Sequence, residues 1–390
     1  MLASLSPMVR QYLLVTGNYW AFTLTDGALR MLVVLHFAHL GYSPLAIAML
    51  FLFYEFFGVV TNLVGGWLGA RLGLNNTMNL GLGLQVLALC MLLPPSWLTV
   101  PWVMAAQALS GIAKDLNKMS AKSSIKLLAG GNSLYHWVAV LTGSKNALKG
   151  VGFFLGAALL ALLGFQGAIA AMAAVLALVW LASLVFLRAD LGRAKNKPKF
   201  TDIFSKSRSV NLLSAARFFL FGARDLWFVV ALPVFLADRL GWNNWQVGSF
   251  LALWVMGYGA VQALAPKVTG ATAQGAARWA APLTLVPVAI ALELDAGWPP
   301  GTVLVAGLAL FGVLFALNSA LHSFLIVHLA EEDGVSLDVG FYYMANAMGR
   351  LVGTVLSGAL YQWAGLEACL WFSAAFLLAA TLVSTALPRH

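Results

Sequence analysis

LTGSKNALKGVG at residues 141–152 and FYYMANAMGRLVG at residues 341–353 set Asn146 against Asn346 and Ala147 against Ala347, at an offset of about 200 residues. Gly41 meets Gly241 at that offset, Gly111 and Asn117 recur as Gly312 and Asn318, and Asn62 corresponds to Gln262. Each match is weak alone. Together they predict a chain built twice, as two halves of like construction.

The material of each half is apolar. With 61% hydrophobic and 9% charged residues and a mean hydropathy of +0.86, the side chains exceed what one soluble core can hide, so the chain belongs in a bilayer. A hydrocarbon core of about 30 Å needs roughly 20 apolar residues per helix. The runs fit an all-α integral membrane protein of twelve spans, starting near residues 11, 44, 77, 101, 137, 166, 211, 245, 279, 302, 339 and 367. GYSP (41–44), PPSW (94–97), GFQG (164–167) and GWPPG (297–301) punctuate them. The runs are continuous rather than alternating, which excludes a β-barrel. The expected organisation is one six-helix bundle over 1–187, a basic linker over 188–210 and a second bundle over 211–390.

The linker sets the orientation. Arg188, Arg193, Lys195, Lys197, Lys199, Lys206 and Arg208 stand there against Asp190 and Asp202, so it should be cytoplasmic. Arg10, Arg71, Lys126, Lys267, Arg278 and Arg389 then fall on the same side and Arg239 on the other, placing both termini inside. This bias and the intramembrane cations account for the net charge of +9, leaving little for a nucleic-acid reading. The first span opens at Tyr12 at full length, and no cleavable leader is expected.

Counting about 1.5 Å per residue from the span ends puts Asp26, Glu55, Lys114, Asp115, Lys149, Arg224, Asp225 and Arg350 near mid-depth, with Arg30, Lys118, Lys145 and Arg217 somewhat removed. An ionised side chain at a helix centre costs roughly 3 kcal/mol against lipid. These residues must therefore face a cavity or each other. Asp–Arg pairs at depth either tie helices together or serve a ligand, and both roles are open for each pair. The cations outnumber the acids, and a multivalent anion would complete the balance. Arginines grip phosphate-like oxygens bidentately; lysines act as point charges.

GIAKDLNKMSAKSSIK (111–126) carries Lys114, Lys118, Lys122 and Lys126 at fourth-residue spacing, one above another on a single helix face. Lys122 and Lys126 read as marks of the cytoplasmic end, and Lys118 stands between that role and the cavity. Lys114 is expected to touch substrate. Tyr19 shares a face with Asp26, Asn146 stands close to Lys149 and Asn346 one turn before Arg350, so the two amides join the candidate set. Asn318 and His322 are similarly spaced, where a helix-to-helix hydrogen bond is the commoner role. The expected substrate-binding residues are thus Arg30, Lys114, Lys118, Asn146, Lys149, Arg224, Asn346 and Arg350, with Asp26, Glu55, Asp115 and Asp225 as coupling or ion-pair residues. Proton coupling through those acids and passive exit both fit the residues.

Other chemistry has little to stand on. Cys90 and Cys369 are isolated in apolar stretches, without a CxxC or Cys/His cluster, so no metal site is expected. His328 and Asp333 form an HxxxxD pattern of low specificity, and no GxxxxGK[ST] loop appears. No catalytic set and no cofactor is expected. A membrane enzyme or receptor is therefore the weaker reading, behind a generic proton-coupled drug or organic-anion antiporter.

GGWLGARLG (65–73) resembles the loop signature between the second and third helices of major facilitator proteins, with Ala70 at its usual acidic position. GNYWAFTLTDGALRMLVVLHF (17–37), SGIAKDLNKMSAKSSIK (110–126) and LTGSKNALKGVGFFLG (141–156) resemble the ArsJ organoarsenical efflux permeases of bacterial arsenic-resistance operons, over nearly the whole chain. The resemblance implies the major facilitator fold, a multi-pass protein of the bacterial inner membrane, and export of 1-arseno-3-phosphoglycerate. It also implies a functional partner, a glyceraldehyde-3-phosphate dehydrogenase that makes this substrate in the cytoplasm from arsenate.

Overall fold

The computed structural model describes residues 7–42, 50–128, 133–187, 191–195, 198–204 and 206–388. The expected second-span start near Pro44, the linker residues Arg188, Asp190 and Lys197, and Arg389 lie outside the described residues. Among the described residues the elements are helical: α1 (Pro7–His39), α2 (Leu52–Leu72), α3 (Leu74–Met91), α4 (Val100–Leu128), α5 (Leu134–Phe186), α6 (Arg208–Phe228), α7 (Ala231–Asp238), α8 (Asn244–Leu264), α9 (Pro266–Thr269), α10 (Gln274–Asp295), α11 (Pro300–Leu329) and α12 (Val335–Thr385). In hydrocarbon every backbone N–H and C=O must be satisfied within the segment, which selects helices.

Two of these helices are pairs of spans. At 53 and 51 residues, α5 and α12 are more than twice what a bilayer accommodates at about 1.5 Å per residue. Each reverses at a glycine with positive φ, Gly164 (φ 67°) in α5 and Gly365 (φ 78°) in α12, a conformation L side chains rarely adopt. The breaks fall beside the span starts expected near 166 and 367. Counting α5 and α12 twice, joining α6 to α7 and setting aside the four-residue α9 gives the twelve spans among the described residues. By length and apolar composition, α5, the α6–α7 stretch, α8, α10, α11 and α12 are each able to cross a membrane. The α4 helix holds Lys114, Asp115, Lys118, Lys122 and Lys126, a charge load tolerable only where protein covers it.

Local signals start the helices. Ser207 Oγ accepts from Val210 N at 3.2 Å at the head of α6. Asn243 and Gln246 form a reciprocal capping box at 2.9 Å each way before α8. Where α6 gives way to α7, Ala231 N donates to Ser357 Oγ at 3.2 Å, so a side chain satisfies an amide freed by the break.

The chain packs as two compact units. The first comprises Met1–Trp137, Ser144–Ser205 and Ala330–Met344; the second comprises Val138–Gly143, Lys206–Leu329 and Ala345–His390. In unit one, α1 lies against α5 along small residues: a methyl on Gly27 would come 2.7 Å from the Lys149 carbonyl, and one on Gly152 2.6 Å from that of Leu24. Unit two repeats the device, since a methyl on Gly353 would stand 2.5 Å from the Gly222 carbonyl. The small-residue packing expected of Gly152, Gly156, Gly349 and Gly353 is present in both units.

The GGWLGARLG segment anchors the linker. Ala194 N donates to the Ala70 carbonyl and Leu74 N to the Leu191 carbonyl, both at 2.8 Å. Trp67 Nε1 reaches Pro198 O at 3.1 Å.

Candidate functional site

In unit one, Tyr54 is the hub. It is buried on α2, its hydroxyl donates to Asp26 Oδ1 on α1 at 2.8 Å, and Lys114 Nζ from α4 stands 3.8 Å from its ring centroid. The Arg30 guanidinium lies 4.8 Å from the same ring and 5.0 Å from that of Phe51, so two cations use one aromatic side chain. Arg30 Nη2 also donates to Glu55 Oε1 at 3.1 Å. Lys149 Nζ, from α5, is 3.9 Å from Asp26 Oδ2. The bare Gly27 backbone, one residue from Asp26, is what brings α5 that near.

The lysine ladder splits along its length. Lys118 Nζ donates to Asp115 Oδ1 at 2.6 Å, and Lys114 Nζ is 3.8 Å from the other oxygen. Lys118 also lies over the Tyr343 ring at 4.7 Å, within unit one because Ala330–Met344 packs there. Lys122 is 2% exposed. The Lys126 ammonium donates to the Ala330 carbonyl.

In unit two, Asp225 is completely buried and holds two arginines. Arg224 Nε donates to Oδ1 at 2.6 Å and Arg350 Nε to Oδ2 at 3.0 Å. Arg224 also lies within 6 Å of three aromatic rings, Phe221, Phe228 and Phe315. About two helical turns away on α6, Arg217 donates through Nε to Asn346 Oδ1 at 2.8 Å and through Nη1 to Ser319 O and Oγ at 3.2 and 3.1 Å. Tyr258 and Gln262 of α8 complete this network on Ser319 Oγ, at 2.9 and 3.2 Å. Arg217, Asn346, Ser319, Tyr258 and Gln262 are thereby closed on one another.

The sequence matches the Major Facilitator Superfamily model over residues 15–292, well over half of the chain. The chain belongs to the major facilitator superfamily. As a major facilitator protein it is a twelve-helix, two-domain membrane transporter, and its fold is shared with solved structures at low identity. The human organic anion transporter MFSD10 (TETRAN) superposes with a TM-score of 0.79 at 17% identity, covering 97% of this chain and 100% of its own. A bacterial homologue of the iron transporter ferroportin, solved in an outward-facing state, gives 0.77 at 15%, covering 97% and 99%. The proton:xylose symporter XylE, bound to 6-bromo-6-deoxy-D-glucose, gives 0.76 at 13%, covering 98% and 96%. No curated protein sequence matches the chain.

Within this major facilitator transporter, Asp26, Arg30, Glu55, Lys114, Asp115, Lys118 and Lys149 come together in unit one, and Arg224, Asp225 and Arg350 in unit two. Asn146 meets Lys145, whose Nζ is 3.2 Å from its Oδ1. Asn346 is held by Arg217 rather than Arg350. Asn318 ties α11 to α10 through Ala276 O at 2.9 Å, the helix-to-helix role. Tyr54 is absent from the sequence-based set, although it is the polar aromatic in the FLFYEFF run at 51–57. Among the described residues no cluster of three metal-ligating side chains occurs.

Proposed function

We propose that this transporter exports an organic arsenate–phosphate ester, 1-arseno-3-phosphoglycerate, from the cytoplasm by alternating access, and so confers arsenate resistance. The observation that carries the reading is the charge at depth. In each unit the cations outnumber the acids, and the cations are the kinds that bind tetrahedral oxyanions. Arg30, Lys114 and Lys149 of unit one and Arg224 and Arg350 of unit two are the candidate cations for the ester's oxyanion groups. Lys118, Asn146 and Asn346 are further candidates for its recognition. The resemblance of residues 17–37, 110–126 and 141–156 to organoarsenical permeases supports the same substrate. A pentavalent arsenic ester is bound through oxygen, so the chain's two isolated cysteines are no obstacle.

On this reading the protein sits in a bacterial cytoplasmic membrane with both termini inside, and a glyceraldehyde-3-phosphate dehydrogenase supplies its substrate. A general organic-anion or drug antiporter is the second reading, favoured by the structural likeness to a human organic anion transporter. The two separate in cells lacking other arsenate defences. Expression with the dehydrogenase should restore growth on arsenate. Arg30→Gln, Lys114→Gln, Lys149→Gln, Arg224→Gln and Arg350→Gln should each abolish that growth with protein still in the membrane. Unchanged resistance in all five refutes the assignment, and resistance to unrelated drugs favours the second reading.

A further inference from the structure

We infer that the linker stretch 198–204 and the end of α2 form a binding site for one anionic phospholipid, its headgroup on Arg71 and Lys199 and its acyl chains along Phe200 and Phe204. The site lies within unit one and is independent of the export reading above, so either can fail alone.

One side of α2 is closed by protein. A methyl on Gly66 would collide with the Ser336 carbonyl, and one on Gly65 would stand 3.0 Å from Leu116 Cδ2. The opposite side exposes Phe53, Phe56 and Val60. At about 100° per residue, Trp67 and Arg71 continue that exposed stripe towards the end of the helix at Leu72. In a membrane transporter, an exposed apolar stripe opposite the packed face of a span borders lipid. Tryptophan near the end of such a span marks the boundary between lipid and water.

The linker returns to this stripe rather than running out into water. Trp67 Nε1 donates to Pro198 O at 3.1 Å, and Phe200 meets the Trp67 ring edge-on with centroids 5.7 Å apart. Ile203 is buried and pins the short helical turn Phe200–Ile203, yet Phe200 and Phe204 on either side of it are 56% and 65% exposed. Bare phenyl rings at the level of an interfacial tryptophan suit the boundary between headgroups and acyl chains, and are poorly placed in water.

The charge at this place is positive. The Arg71 guanidinium lies 5.0 Å from the Trp67 centroid, and a guanidinium set against an indole retains N–H donors for a phosphodiester. Arg71 and Lys199 are exposed, and among the described residues neither side chain forms an ion pair with a carboxylate. The acid of the turn, Asp202, accepts from Lys199 N at 2.7 Å and so faces the backbone. Cations beside exposed aromatics at the bilayer surface select a lipid with a net negative headgroup over a zwitterionic one.

The test measures lipid binding to the full-length protein in detergent by native mass spectrometry, with dioleoylphosphatidylglycerol and dioleoylphosphatidylcholine titrated separately. The parent should bind phosphatidylglycerol at least about ten-fold more tightly. Arg71→Gln with Lys199→Gln should weaken phosphatidylglycerol about 25-fold, some five-fold for each charge, and leave phosphatidylcholine unchanged. Phe200→Ser with Phe204→Ser should weaken both lipids alike, by about ten-fold. Lys267→Gln, which removes an exposed lysine of unit two, should stay within about two-fold of the parent. All variants should melt like the parent without added lipid, and should the phenylalanine pair fail to fold, the charge pair decides alone. A parent without headgroup preference, a preference that survives loss of both charges, or an equal loss in Lys267→Gln overturns the site. Displacement of the lipid by soluble glycerol 3-phosphate or by an acidic peptide also overturns it, in favour of a free anion or a protein partner.

Discussion

The Tyr54 hydroxyl donates to Asp26 Oδ1 across 2.8 Å, while the ring that carries it lies under Lys114 and beside Arg30. One side chain thus links three helices of unit one and stands between an acid and two cations. Removing the hydroxyl and removing the ring are therefore different experiments. Tyr54→Phe deletes a hydrogen bond to a charged group, worth about 1.5–3 kcal/mol, and keeps the ring face. Tyr54→Ala also empties a buried aromatic site, at about 3–5 kcal/mol. Melting in detergent should fall modestly for the first and steeply for the second, and arsenate export should fall in both. Equal melting temperatures for the two variants would exclude the ring as a packing element.

Asp225 is the unit-two counterpart, one fully buried carboxylate for two guanidiniums. Asp225→Asn leaves Arg224 and Arg350 facing each other without an acid, and breaking such a pair costs about 3–5 kcal/mol. Combining it with Arg350→Gln removes one of the stranded charges. The double variant is expected to melt above Asp225→Asn alone, and a double-mutant cycle on thermal unfolding reads the coupling directly. Additive effects would show that the two residues act independently.

The fold was legible because its signals are local. Run length against bilayer thickness located the spans, and glycines in GFQG and before Leu366 turn α5 and α12 where the apolar pattern pauses. The types of the site residues were legible too, since a charged residue amid apolar neighbours is visible without a structure. Their partners were not. Lys149 reaches Asp26 from far along the chain, and Arg217 takes Asn346, which helical spacing alone puts beside Arg350. Spacing reports which side chains share a face of one helix, and nothing about which helix lies opposite. Lys122 shows the same limit: its place in the ladder does not reveal that neighbouring segments cover it.

Glycine at position 27 is a condition for the Asp26–Lys149 pair. A methyl there would stand 2.7 Å from the Lys149 carbonyl and 3.3 Å from Gly152 Cα, backbone that cannot step aside. Gly27→Ala should destabilise by about 1–3 kcal/mol as overpacking does, and should lower export by moving Lys149 off Asp26. Gly17, on the same helix, has nothing within 4 Å of its added methyl. Gly17→Ala should melt at or slightly above the parent, as helix propensity dictates. If both variants melt alike, close approach is not what α1 requires at Gly27.

Arg217 and Arg350 separate an anchor from a ligand. Arg217 is 3% exposed and donates in a fixed fork to Asn346 and to Ser319. Lysine cannot reproduce that fork. Arg217→Lys should therefore lose stability by about 2–4 kcal/mol, because buried polar partners are left unsatisfied, with export falling in proportion to folded protein. The Arg350 side chain is 30% exposed, and a lysine there keeps a positive charge beside Asp225. Arg350→Lys should melt within a few degrees of the parent, yet lose the bidentate grip on a phosphate-like group. The half-saturating substrate concentration in vesicles should rise by about ten-fold, the equivalent of roughly 1.4 kcal/mol. A variant that binds as tightly as the parent would move Arg350 from ligand to anchor.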